Sequence, residues 1–321
     1  MTKNIGIEAI EYYLPDKVTT SKELSELFDY DVGFIEDKIG VKNLYSSDSD
    51  GTTQLAVKAL DKVLERFPNL RSEIELLVVC TQTPNYQLPQ TSSQVQNICK
   101  LPNSIMAIDL NLGCSGFVYG LSIVESIMKN LDFKKAVLIT AETYSHIINQ
   151  EDRNTRCLFS DASAATLVST KGKIFSGKYR FGSDGSFFDK LIVNPAINNG
   201  YLYMDGRAIY NFTSSTIADE IRKICIDNNN ILDDIDYFVL HQASSYVIKS
   251  IAKRSNVRNE DRFIDYLDIF GNTVSSSIPI ALKKLMNEKG RGGLKLAISG
   301  FGVGLSWGST ILETIKGVEN V

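Results

Sequence analysis

Apolar positions fall into two alternating patterns: short continuous runs of strand length and longer stretches with helical spacing. Asn4 to Ile10 predicts a first strand, and Thr20 with Glu23 forms a capping box for a short helix through Phe28. Val32 to Ile39 predicts another short helix. Thr53 to Phe67 carries Leu55, Ala59, Val63 and Phe67 on one face, and Pro68 ends it. Ile74 to Cys80 is the continuous run of a parallel strand covered on both faces, and Gln90 to Lys100 predicts a helix. Ile105 to Leu110 predicts a strand that turns at Gly113-Cys114-Ser115-Gly116 into a helix with Phe117, Leu121, Val124 and Met128 at helical spacing. Lys135 to Ala141 and Ala164 to Thr170 predict further strands.

The second half echoes the first. Glu73 to Thr81 has a counterpart in Asp234 to Gln242, and Lys135 to Ala141 has one in Lys295 to Gly300. The Cys114 corner and its helix correspond to Gly271-Asn272-Thr273 followed by Val274 to Met286. So long a period implies a duplicated α/β domain, not a solenoid. The halves, 1–170 and 171–321, are expected to meet around Ser169 to Ser176. Cys114, His241 and Asn272 all fall at strand ends or at the helix starts just beyond, where open α/β sheets bind ligands.

Composition narrows the field. The 321 residues are 43% hydrophobic and 22% charged, with a formal net charge of −4, which gives no general reason to expect nucleic acid as a partner. Five scattered cysteines without CxxC spacing argue for a reducing compartment and against a disulfide framework or zinc site. No apolar run reaches the roughly 18 residues of a membrane helix, and the N-terminal run is too short for a signal peptide. The expectation is a cytoplasmic protein with no metal, cofactor or membrane.

Cys114 opens a helix, where unpaired N–H groups and the dipole favour a thiolate by about 0.3–1 kcal/mol. That is under one pKa unit, enough to prime the sulfur without ionising it. The bland alternative is a small buried residue at a tight turn. Of two histidines, His241 ends an apolar strand and suits hydrogen bonding to a substrate carbonyl or proton shuttling, whereas His146 lies in a polar stretch read as loop. Asn272 is either an uncharged donor to a developing oxyanion or a helix N-cap, or both. The alternating glycines of Ser299 to Gly308 suit backbone donors that face a cavity, or a weakened strand with a bulge.

Together, Leu110-Asn111-Leu112-Gly113-Cys114-Ser115-Gly116, His241-Gln242-Ala243, Gly271-Asn272-Thr273 and the Gly300 to Gly308 run resemble β-ketoacyl-acyl-carrier-protein synthase III of the thiolase-fold superfamily. The resemblance extends from about Phe34 to Gly308. It implies duplicated halves in a five-layer αβαβα sandwich and a ping-pong decarboxylative Claisen condensation. Cys114 takes an acyl group from acyl-CoA, with the backbone N–H groups of Cys114 and Val303 as oxyanion hole. His241 and Asn272 stabilise the enolate released from malonyl-acyl-carrier protein. The same resemblance assigns CoA-gripping positions to Phe34, Lys38 and Arg153, places Phe301 in the substrate site, and gives Leu88 the position that closes the acyl pocket across a homodimer interface.

Three departures point to a specialised paralogue: Ser244 and Tyr246 stand where the family has Asn and a basic residue, Ser160-Asp161-Ala162 replaces Gly-Asp-Gly, and Val303 replaces glycine. Lys249, Lys253 and Arg254 offer an alternative basic face for the carrier. Rival readings are acyl transfer from Cys114 to a hydroxyl or amine, and a non-catalytic scaffold. A papain-type protease, suggested by Cys-His-Asn order, lacks that family's signature around the cysteine.

Overall fold

A computed structural model describes residues 4–290 and 292–316, so the outer ends of both expected halves, 1–3 and 317–321, lie outside the described residues. Nine strands form one hydrogen-bonded run: β1 (Gly6–Tyr13), β2 (Leu76–Cys80), β3 (Met106–Leu110), β4 (Lys135–Glu142), β5 (Ala162–Ser169), β6 (Ile174–Ser183), β7 (Tyr237–Leu240), β8 (Lys295–Gly302) and β9 (Ser306–Thr314). The order is β7-β8-β9-β6-β1-β5-β4-β2-β3. Only the antiparallel pair Ile7↔Ile174 joins β1 to β6, so the run divides there into two sheets.

Each sheet repeats one pattern. In the first, β2 is parallel to β4, which is antiparallel to β5, which is antiparallel to β1. In the second, β7, β8, β9 and β6 follow the same sequence of directions. The counterpart of edge strand β3 is reduced to a single parallel bridge, Phe238↔Phe263.

Helices fill the remaining layers. These are α1 (Ser21–Phe28), α2 (Thr52–Arg66), α3 (Thr91–Ile98), α4 (Gly116–Leu131), α5 (Gly206–Asp227), α6 (Ser245–Ser255) and α7 (Ser277–Lys289). α2 packs on β1, β4 and β5, and α3 on β2 and β3, outside the first sheet; α5 packs on β8, β9 and β6, with α6 against it, outside the second. α4 touches β2 and β4 on one side and β8 and β9 on the other, while α7 touches β1, β5 and β7. These two helices are the middle of five layers, the αβαβα arrangement expected. Phe117, Leu121, Val124 and Met128 of α4 are fully buried in one core with Ile278, Leu282, Leu285 and Met286 of α7. An apolar stripe alone would face one sheet; here helices lie between two sheets, and burial of both faces fixes their angle.

Most predicted elements appear within two or three residues of their expected ends, and Thr20 with Glu23 forms the capping box. Two differ in kind. Val32 to Ile39 folds as a π-helical turn over Phe34–Ile39. The expected helix from Val274 begins as a 3-10 turn, Val274–Ser276, and becomes α-helical only at Ser277. No helix among the described residues is long and apolar enough to cross a membrane.

Candidate active site

A cavity of about 560 Å³ opens at the carboxyl ends of both sheets, and Cys114, His241 and Asn272 all line it. They arrive on different elements: Cys114 at the turn between β3 and α4, His241 directly after β7, and Asn272 in the segment leading to α7. The last is stitched to the opposite half. Asn272 N donates to Leu158 O at 3.1 Å, and Ser160 N donates to Asn272 O at 2.9 Å. Its neighbour Gly271 has φ +63, and a Cβ there would stand 2.4 Å from Leu44 Cδ2 and 2.8 Å from Ser160 Oγ. Only glycine permits that crossing.

Cys114 is 5% exposed, with β8 pressed against it. A Cβ on Gly302 would lie 2.7 Å from Cys114 Cβ and 2.8 Å from its Sγ, so the absence of a side chain allows the sheet to approach the sulfur. Backbone N–H groups of Val303 and of Cys114 itself reach the sulfur and stabilise its anion. Val303 is not among the described residues with positive φ, so the valine presents its N–H as a glycine would. Yet the thiol is pushed up to about 12, chiefly by burial and then by the Glu142 carboxylate. This corrects the expectation of a primed sulfur: a helix-end contribution of about 0.3–1 kcal/mol does not offset burial. The cysteine rests as a thiol.

His241 is 2% exposed, and burial lowers it to about 3, so it rests neutral; the Val274 carbonyl opposes that shift. Its Nδ1 lies 2.8 Å from Ser277 Oγ, and the ring meets Phe301 edge-on with centroids 5.5 Å apart. Gln242 locks the adjoining loop: its Nε2 donates to Leu240 O at 2.8 Å and Ile264 O at 3.2 Å, while its Oε1 accepts from Tyr266 N at 2.8 Å. Asn272 Oδ1 accepts from Val274 N at 2.9 Å, and Nδ2 donates to Ala243 O at 3.4 Å. Asn272 therefore does not cap α7, whose N-cap is Ser276.

Other expected residues divide. Phe34, Lys38 and Phe301 line the cavity. Arg153 does not; its guanidinium sits 4.9 Å from the centre of the Tyr30 ring, and that ring meets Phe34 at 5.4 Å. Leu88 is 87% exposed and likewise outside the cavity of this single chain. Ser244 caps α6 by accepting from Val247 N at 3.2 Å, and Tyr246 stacks on Tyr210 at 5.1 Å beside the mouth. Lys249, Lys253 and Arg254 are exposed on α6. His146 ends a short 3-10 turn with Nε2 2.9 Å from Ser47 O, away from the cavity.

The sequence did not single out Glu142, fully buried at the end of β4. It accepts from Thr83 Oγ1 and Ser275 Oγ at 2.9 Å each and from Gln82 N at 3.1 Å, and burial raises it to about 8. Its place at the end of an apolar strand was the available signal. The apolar walls, among them Tyr144, Phe159, Leu191 and Met204, come from loops and a small hairpin with no periodic signature.

Known proteins bear on this geometry. The model of 3-oxoacyl-[acyl-carrier-protein (ACP)] synthase III matches residues 108–185, and that of its C-terminal region matches 226–314. A β-ketoacyl-[acyl-carrier-protein] synthase III from Clostridium novyi is 33% identical, covering 97% of this chain and 99% of its own. The solved 3-oxoacyl-(acyl carrier protein) synthase III from Pseudomonas aeruginosa superposes with a TM-score of 0.90 at 28% identity, covering 98% of this chain and 99% of that one. A priming β-ketosynthase of the R1128 polyketide pathway shares the fold at 24% identity, with a TM-score of 0.89. Fold and site thus define a thiolase-fold acyltransferase of the condensing type. Within that class, the chain belongs to the β-ketoacyl-acyl-carrier-protein synthase III family.

Proposed function

We propose that the protein condenses an acyl primer, delivered as acyl-CoA, with malonyl-acyl-carrier protein to give a 3-oxoacyl-carrier protein, carbon dioxide and CoA, and that Cys114, His241 and Asn272 carry the reaction. The supporting observation is that a sulfur, an imidazole and a carboxamide far apart in sequence line one cavity, with two backbone N–H groups aimed at the sulfur. As Cys114 Sγ attacks the acyl carbonyl, His241 accepts the thiol proton and passes it to the departing CoA sulfur. The N–H groups of Cys114 and Val303 hold the oxyanion. Malonyl-carrier protein then loses carbon dioxide. Asn272 Nδ2 and a proton carried by His241 neutralise the enolate oxygen, the carbanion attacks the acyl-enzyme, and Cys114 leaves as the group that recovers the proton. One proton is drawn from solvent over the cycle, balancing the carboxylate that becomes carbon dioxide.

Phe34 and Lys38 at the mouth, with Arg153 held against Tyr30, suit the nucleotide end of CoA. The exposed cations of α6 suit an acidic carrier, an attraction that added salt weakens. We read the chain as two duplicated halves, 1–170 and 171–321, working in the cytoplasm as a homodimer in which Leu88 closes the acyl cavity of the facing subunit. Five free cysteines fit that compartment.

Intact-mass analysis after incubation with a panel of acyl-CoAs tests the reading. One acyl group adds to the protein, is absent from Cys114→Ala, and leaves with carbon dioxide when malonyl-carrier protein is added. An adduct that persists in Cys114→Ala defeats the assignment, and turnover to an amine or alcohol without carbon dioxide replaces condensation with simple acyl transfer. In the same panel, Leu88→Phe shifts acceptance toward shorter chains.

A further inference from the structure

The segment between Asn272 and α7 contains a feature that the reaction described above leaves unused. Val274 is fully buried and holds φ +52, a left-handed conformation that a β-branched residue adopts only when its surroundings impose it. The two polar groups of this one residue serve both neighbouring site residues. Its N–H donates to Asn272 Oδ1 at 2.9 Å, which fixes the amide nitrogen, one proton of which goes to Ala243 O at 3.4 Å, as that side chain's donor end. Its carbonyl accepts from Ser277 Oγ at 2.9 Å and also lies against the His241 ring, favouring the protonated form there. Ser277 Oγ, in turn, is 2.8 Å from His241 Nδ1.

Proton counting assigns the roles. A serine hydroxyl has one proton to give, and a carbonyl can only accept. With the Ser277 proton donated to Val274 O at 2.9 Å, its oxygen is left as an acceptor 2.8 Å from Nδ1, and Nδ1 supplies the proton between them. A bare lone pair on Nδ1 would confront the lone pairs of the serine oxygen with no proton between them. The tautomer of an imidazole is set by the partner of its inner nitrogen.

We infer that Ser277 is a positioning residue: with the carbonyl of Val274, it keeps a proton on Nδ1 of His241 throughout the cycle, so that every proton exchanged with Cys114 or substrate passes through Nε2. The inference rests on the function proposed above, but its primary readout is independent of turnover. During acylation Nε2 takes the Cys114 thiol proton while the S–C bond to the acyl group forms, and releases it to the CoA sulfur as that bond breaks. During condensation Nε2 takes a proton from solvent and returns it to Cys114 when the product departs. Nδ1 never exchanges, and the ring need not flip between the two half-reactions.

The chain has only two histidines, which makes the test direct. Nitrogen NMR of the full-length protein labelled with 15N-histidine, with His146→Gln for assignment, reads both nitrogens of His241. Between pH 6 and 8 the resting enzyme shows a protonated Nδ1 and a bare Nε2. A protonated Nε2 in the wild-type protein overturns the inference without any substitution at the site. Ser277→Ala yields a mixture of tautomers and lowers kcat by roughly 100-fold, within the 10²–10⁴ range of general acid–base catalysis, with KM for acyl-CoA little changed. Ser277→Thr, which retains the hydroxyl, restores the single tautomer and most of kcat. An alanine variant with an unchanged spectrum and unchanged kcat refutes the role, and if that variant does not fold the wild-type spectrum still decides. Loss of acylation with the tautomer intact would instead count against the proposed function alone.

Discussion

The corners at Cys114 and Asn272 occupy equivalent places in the two halves, each feeding one helix of the middle layer, yet they are built in opposite ways. At Cys114 the chain turns directly into α4; missing side chains make room there, Gly113 beside Gln82 and Val274, Gly116 beside Cys80 Sγ, and the facing Gly302 beside the Cys114 sulfur itself. At Asn272 the chain delays α7 by a 3-10 turn. It spends those residues on hydrogen bonds: Val274 N donates to Asn272 Oδ1, Ser275 Oγ to Glu142 and Ser276 Oγ to Thr140 O, and Ser277 Oγ pairs with His241 Nδ1. One corner works by emptiness and the other by saturation with polar contacts. A nucleophile must be approached by substrate, whereas groups that handle protons and developing charge must be held still in a low-dielectric setting.

Breaking the second corner separates the two half-reactions most sharply. Asn272→Ala is expected to lower condensation by about 10²–10³-fold, the usual loss for one oxyanion donor, while Cys114 still acquires its acyl group in a mass measurement. Equal loss of both steps would mean that the corners are not divided by function.

Crowding the first corner has a smaller effect. In Gly302→Ala the new Cβ pushes against Cys114 from 2.7 Å, and the single-turnover acylation rate is expected to fall roughly 10- to 100-fold, as misplacement by a fraction of an ångström to 1 Å does. The ratio of condensation to acylation should then rise, opposite to the asparagine variant.

The smallest effect lies at the contact between the corners. Glu142 is raised to about 8 in the folded protein, from an ordinary 4.5. Between those values the folded chain holds a proton that the unfolded chain has lost, so its contribution declines as pH rises from about 4.5 to about 8. Glu142→Gln should remove that slope: wild type and variant differ little near pH 5, and the variant melts higher at pH 8. Parallel melting curves across the range would show that Glu142 does not hold its proton in the folded protein up to about pH 8.

Much of this was legible in order along the chain. Periodicity marked the core strands and helices because burial is written directly into apolar spacing, and the echo of Glu73 to Thr81 in Asp234 to Gln242 announced the duplication. Cys114, His241 and Asn272 stood out because each falls at a strand end or at the helix start just beyond, where open α/β sheets bind ligands. Glu142 and Ser277 were not singled out. A Glu after a strand and a Ser in a polar run have many ordinary explanations, and their meaning comes from partners 133 and 36 residues away.

By itself, then, the sequence determined which segments are buried, that they come as two related sets, and which three side chains carry candidate chemistry, since these depend on local spacing and residue type. Tertiary structure alone decided the protonation of that chemistry. A cysteine at a helix start reads as activated, but once two sheets close over it the loss of solvation exceeds what the helix end supplies. A histidine's working nitrogen is chosen by a serine and a carbonyl that only folding brings to its inner side. Solvation and hydrogen-bond partnership belong to the packed arrangement, and no stretch of sequence contains them.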